Sequence, residues 1–152
     1  MKIPQKSSKS ASSPYRLIAL SPYRLNKNMN RLKDLIVYQK SKELVVFVYK
    51  MLDLFPDAEK FALCNQMRRA VVSVPSNIAE GMGRMSDKDQ AHFLNMAYGS
   101  LMEVYAQADI ARDLKYIDNE NFNQLEEQVE SICKMIQSMC YLRKNPLSNR
   151  PK

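Results

Sequence analysis

At 152 residues the chain has the length of one domain built on a single core. Its 45% hydrophobic and 26% charged content is that of a soluble globular protein, and three glycines against ten methionines favour helices over a sheet. The net charge of +7 looks like a nucleic-acid signal until it is divided along the chain. Residues 1–31 hold seven basic side chains and no acid, whereas from Leu32 onward sixteen basic and sixteen acidic residues cancel.

That first segment is rich in Ser, Lys and Pro and has no helical or strand period. It repeats SPYRL, at Ser13–Leu17 and again at Ser21–Leu25. A proline-containing repeat of eight residues cannot build a packed unit, so residues 1–31 read as a disordered basic tail. A start of translation at Met29 is the second possibility. Such a tail can neutralise phosphates through counterion release, or simply stay solvated. The apolar runs LIAL and LVVFVY are too short for a signal peptide or a membrane span. Residues 146–152 form a short polar tail, which leaves 32–145 as the folded unit. Cys64, Cys133 and Cys140 make no CxxC pair and have no histidine at zinc spacing, so they read as free core thiols in a reducing cytoplasm.

Four helices are expected in the folded unit. The first spans about Val37 to Leu54, with Leu44, Val45, Phe47, Val48, Met51 and Leu52 on a wide apolar face. Pro56 stops it, and Asp57 is placed to cap the next. The third opens on Ser86 with Asp89 three residues later, a capping-box pattern, and carries Phe93, Leu94, Ala97, Leu101, Val104, Ala108 and Ala111 to near Leu114. The fourth starts at Asp118 or Asn119 and sets Leu125, Val129, Ile132, Ile136, Met139 and Arg143 at a heptad-like spacing.

The second helix poses the problem, because it would have to run through VSVPSNIAEG at residues 72–81. If it continues past Pro75, then Leu63, Met67, Ala70, Val71, Val74 and Ile78 share one face. A second, wholly polar stripe then appears at Gln66, Arg69, Ser73, Asn77, Glu80 and Arg84, and neither stripe loses register at the proline. A loop would have no reason to keep that spacing. The sequence therefore predicts a continuous helix kinked at Pro75, with Ser73 and Ser76 satisfying groups freed there and Gly81 or Gly83 closing it. The fold class is all-α, an antiparallel up-down four-helix bundle. A three-helix domain with a loop at 72–81 is the alternative.

The stretch CNQMRRAVVSVPSNIAEGMGR followed by FLNMAYGSLMEV resembles the four-helix bundle family of 23S rRNA intervening-sequence proteins, whose reading frames lie in insertions in bacterial large-subunit rRNA genes and elsewhere in bacterial genomes. It is similar, more distantly, to the accessory variability determinant of diversity-generating retroelements, which assists a reverse transcriptase. The resemblance covers about Leu32 to Lys144. Its motif residues here are Asn65, Gln66, Arg68, Arg69, Ser73, Pro75, Asn77, Glu80, Gly81 and Arg84, then Phe93, Gly99, Ser100 and Glu103. It implies a homopentameric ring, no enzymatic activity, and RNA, DNA or a reverse transcriptase as partner. Family members commonly begin near the equivalent of Leu32, which favours the Met29 start. The retroelement relatives are basic over the bundle itself, and this bundle is neutral.

Enzyme chemistry finds little material. A di-iron bundle needs two Glu-x-x-His motifs, and the single histidine, His92, has Asp at 89 in place of Glu. No cofactor, metal, membrane or small-molecule substrate is expected. GMGRMSDK reads either as a capping loop or as a small anion site. The polar stripe has two readings as well. In one, Arg69 and Glu80 form buried or interface pairs, with Glu103 brought in by close helix approach at Gly99 and Ser100. In the other, the stripe is a surface for a partner or nucleic acid. Lys40, Lys42, Lys50, Arg112, Lys115, Arg143 and Lys144 are the basic candidates within the bundle. The expected function is a non-enzymatic oligomeric adaptor for nucleic acid or a nucleic-acid enzyme; the alternative is a protein–protein scaffold.

Overall fold

A computed structural model describes residues 29–144, and the expectations for residues 1–28 and 145–152 lie outside the described residues. After a helical turn at 29–33 come four helices: α1 (Ile36–Leu52), α2 (Leu63–Gly83), α3 (Asp87–Asp113) and α4 (Asn119–Lys144). No strand occurs among the described residues. Each helix packs on the next, and α4 returns to α1, which closes a four-helix bundle and removes the three-helix alternative. Paired contacts give the sense of the last two helices. Ala91 meets Cys140, Tyr98 meets Gln137 and Tyr105 meets Glu126, so α3 and α4 run in opposite directions.

The core is the sum of the apolar stripes. Leu44 and Val48 from α1, Met67, Val71, Val74 and Ile78 from α2, Leu94, Leu101 and Val104 from α3, and Leu125, Ile132 and Ile136 from α4 are all fully buried. At about 25 cal/mol per Å² of apolar surface removed from water, these side chains carry most of the favourable folding energy. Two core expectations change. Cys64 rather than Leu63 takes the first buried place on α2, and Phe93 is half-buried while Ala91 is buried.

Helix α2 runs unbroken through Pro75, which is itself buried. The serine expectation there needs correcting. The Ser73 hydroxyl donates to the Arg69 carbonyl at 2.8 Å and the Ser76 hydroxyl to the Val72 carbonyl at 2.8 Å. The acceptor that Pro75 orphans is the Val71 carbonyl, four residues back from the proline. Side chains at 73 and 76 bond their own i−4 carbonyls and so pass it by.

The helix ends also differ from expectation. Asp57 does not cap α2; Asp57–Glu59 forms a single 3-10 turn and α2 begins only at Leu63. The cap comes from Glu59, whose carboxylate accepts from the Leu63 amide at 3.2 Å and, on its other oxygen, from the Tyr116 hydroxyl at 3.1 Å. At the far end, neither Gly81 nor Gly83 adopts a left-handed cap. No glycine has positive φ, and the residue after the helix, Arg84, is extended. The α3 start is as expected, with Ser86 accepting from the Asp89 amide at 3.0 Å. Asp118 caps α4 by accepting from the Asn121 amide at 2.8 Å, and that bond holds its carboxyl below the usual range.

Candidate functional site

The motif residues of the α2–α3 region divide into those used inside the protomer and those facing out. Gly81 is buried where α2 meets α3. A Cβ there would stand 3.2 Å from Phe93 Cβ and 3.3 Å from the Gln90 carbonyl oxygen, so a side chain at 81 would push α3 back by a few tenths of an ångström. Arg84 pairs with Glu80 one turn back and lies over the Phe93 ring at 4.7 Å, while its carbonyl accepts from Gln90. The Arg68 guanidinium stands 5.9 Å from the Tyr49 ring centre and ties α2 to α1. Asn77 donates to the Ser73 carbonyl at 2.9 Å. GMGRMSDK is thus a junction closed by Gln90, Arg84 and the Ser86 cap.

The remaining motif residues point away from the core. Asn65, Gln66, Arg69, Glu80, Gly99 and Glu103 are exposed, and Ser73, Asn77 and Ser100 are half-buried. Within the protomer Arg69 and Glu80 form no buried pair with each other. Eleven residues of helix separate the two by roughly 16 Å. Glu80 binds Arg84 instead, and Arg69 makes no side-chain hydrogen bond or ion pair among the described residues. Glu103 accepts from Gln107 on its own helix at 3.0 Å. Gly99 brings no helix close either, since a Cβ there would meet nothing within 4 Å. Within the protomer these side chains form an outward face on α2 and α3.

The basic candidates separate in the same way. Arg112 is taken up by Asp109 and Asp113 and lies over the Phe122 ring at 4.2 Å. Arg143 donates to Gln90 at 2.6 Å and to the Met139 carbonyl at 3.2 Å, fastening α4 to the start of α3. Neither is a free phosphate ligand. Lys115 is exposed but lies at the α3–α4 turn, and the side chain of Lys144 lies outside the described residues. On α1 the picture is different. Lys33, Lys42 and Lys50 line one shallow surface together with Gln39, Glu43, Val46 and Phe47. Lys42 stands 5.2 Å from the Tyr38 ring centre, and Lys40 is half-buried nearby on the same helix.

Other reactive groups are accounted for locally. His92 is exposed and packs edge-on against Phe93. The three cysteines are buried and form no disulfide among the described residues, and burial pushes the Cys64 and Cys133 thiols up. No group of three or more His, Cys, Asp or Glu side chains suited to a metal occurs among the described residues. No described helix is long and apolar enough to cross a membrane. Two positions had no sequence signal. Glu59 joins two distant turns, and Gln107 is buried on α3 with its Oε1 unpartnered among the described residues.

The comparison with protein families decides what this architecture belongs to: the description "23S rRNA-intervening sequence protein" matches residues 33–138. The chain belongs to this family. The match spans all of α1, α2 and α3 and most of α4, so the outward α2–α3 face is part of the family domain. A crystal structure from Bacteroides thetaiotaomicron VPI-5482, a protein of unknown function from the S23 ribosomal protein family, is similar over 69% of this chain and 98% of its own, with 25% identity and a TM-score of 0.63. No curated protein matches the chain.

Proposed function

We propose that the protein is a non-enzymatic, oligomeric four-helix adaptor that binds nucleic acid or an enzyme acting on it. The observation that carries the reading is where the family residues lie. Apart from Pro75 and Gly81, which are buried, they are exposed or half-buried positions on α2 and α3 and at the turn between them. Gly99 makes the argument sharpest. A glycine inside a helix costs about 1 kcal/mol relative to alanine, and nothing in the protomer uses its missing side chain. A second copy packed closely on that face would use it. The unpartnered Arg69 and the orphaned Oε1 of Gln107 are further groups that a neighbouring copy could satisfy. The resemblance to ring-forming relatives suggests five copies, working in a reducing cytoplasm.

In such an assembly the surface of Lys33, Lys42 and Lys50, on α1 and the turn before it, is repeated once per copy. A weak patch on a neutral bundle then gains through avidity. Val46 and Phe47 among the lysines add apolar area for stacked bases. The more distant resemblance to retroelement accessory proteins points to a reverse transcriptase as the enzyme partner.

The test is salt-dependent binding of RNA and DNA by the full chain and by a version starting at Met29. Binding by both, with a slope reduced by the double change Lys42→Ala and Lys50→Ala, supports the α1 surface. Binding by the full chain alone moves the activity to the basic segment. No binding at low salt leaves the protein–protein scaffold, the reading that the neutral bundle favours. Arg69→Ala is expected to weaken assembly while leaving the protomer folded. Unchanged assembly would remove Arg69 from the interface.

A further inference from the structure

An open groove runs between the start of α1 and the last turns of α4. Leu35, Ile36 and Val37 form one wall and Met135 and Met139 the other, with Asp34 at its mouth. Ile36 is 61% exposed although it is a large apolar residue in a family domain, and Leu35, Met135 and Met139 are only partly buried against the core. Apolar surface left open in this way marks a contact site. The groove lies at the root of a particular piece of chain. Asp34 is joined to the turn at 29–33, and residues 1–28 precede that turn.

We propose that this groove binds the chain's own N-terminal segment, through the apolar stretch Leu17–Leu25. Three observations converge on that occupant. The first is chemical: LIALSPYRL supplies Leu17, Ile18, Leu20, Tyr23 and Leu25, an apolar complement for walls of Leu, Ile, Val and Met. The second is reach. The stretch ends four residues before Met29, and one extended residue covers about 3.3 Å, so the tether holds it within tens of ångströms of the groove at high effective concentration.

The third is charge. Residues 1–28 hold six basic side chains and no acid. On α4 the residues that precede the groove are acidic: Glu126, which accepts from the Tyr105 hydroxyl on α3, and Glu127. Glu127 stands exposed one turn before Ser131 on the groove's rim, and Asp34 sits at its mouth. Glu130 is already paired with Lys134 at 2.6 Å, and Lys134 lines the groove, so the segment must pass that paired cation as well as Arg31 and Lys33 beside Asp34. Arg16 and Arg24 flank or enter the apolar stretch, and in the proposed contact they would pair with Glu127 and Asp34. The basic segment would then lie against the bundle, where it is unavailable to phosphates until displaced.

The chain has no tryptophan, which makes the test direct. Tyr23→Trp in the full chain places a single reporter in the proposed contact. The expected result is blue-shifted emission and several-fold weaker acrylamide quenching than in a synthetic peptide of residues 13–28 with the same change. Ile36→Glu, at an exposed position, should return both readings to the peptide values while circular dichroism shows an intact bundle. Salt raised well past 0.1 M, where screening acts beyond about 10 Å, should weaken the contact in part only, because its centre is apolar. Peptide-like emission in the full chain overturns the proposal. So does a blue shift that Ile36→Glu leaves unchanged. A shift that disappears on dilution assigns the groove to a second copy and overturns the same-chain contact as well.

Discussion

Lys115, one residue past the C-cap Leu114 of α3, has a positive φ of 61°. The Lys115 amide bonds the Arg112 carbonyl and the Tyr116 amide reaches back to the Ala111 carbonyl, both at 2.9 Å. These are the two hydrogen bonds of a Schellman cap, whose left-handed position normally falls to glycine. A lysine there pays roughly 1 kcal/mol in Cβ crowding. Lys115→Gly is therefore expected to raise stability by about that amount, read as a higher denaturation midpoint at unchanged m-value. Glu59 was invisible to local pattern reading because its second partner, Tyr116, is 57 positions away. Removing its carboxylate by Glu59→Ala should cost about 1 kcal/mol at the α2 start in the same measurement. Asp118 gives the acid-side signature. Its carboxyl is held below the usual range by the Asn121 amide, so its contribution is present at neutral pH and fades as pH falls below about 4. Asp118→Ala should lower Tm at pH 7 and have little effect near pH 2.

At the scale of elements, the periodic stripes carried nearly all the information. Val71, Val74 and Ile78 keep the core register on both sides of Pro75, and α2 is continuous there. The helix ends were less legible, since they are decided by single carboxylates and by how neighbouring turns meet. Glycine roles were the least legible of all. Gly81 and Gly99 are both helical and differ only in what stands opposite them, which no local pattern records. The difference makes opposing predictions. Gly81→Ala pushes a Cβ against the Gln90 carbonyl and the Phe93 Cβ, both fixed to the α3 backbone, and should destabilise by about 1–2 kcal/mol. Gly99→Ala meets open space and should stabilise the isolated protomer by up to about 1 kcal/mol while weakening any assembly built on that face.

For the whole molecule, the outward face was legible as a polar stripe but not as a surface. Arg69 and Glu80 recur at helical spacing whether they are buried or exposed, and only the packing of α3 against α2 separates the two cases. The buried thiols make stability fall on the alkaline side. Burial raises Cys64 and Cys133 in the folded state, so their contribution is intact below the ordinary thiol range and is lost as pH climbs through the raised values. Stability should decline above about pH 8.5, and Cys133→Ala should flatten that decline. The central claim, that the α2–α3 face exists for assembly, is tested most directly by the solution mass from light scattering. The account predicts a multiple of the 17.6 kDa protomer for the natural chain, shifted toward the single copy by Gly99→Leu. A natural chain that scatters as one protomer at all accessible concentrations would contradict it.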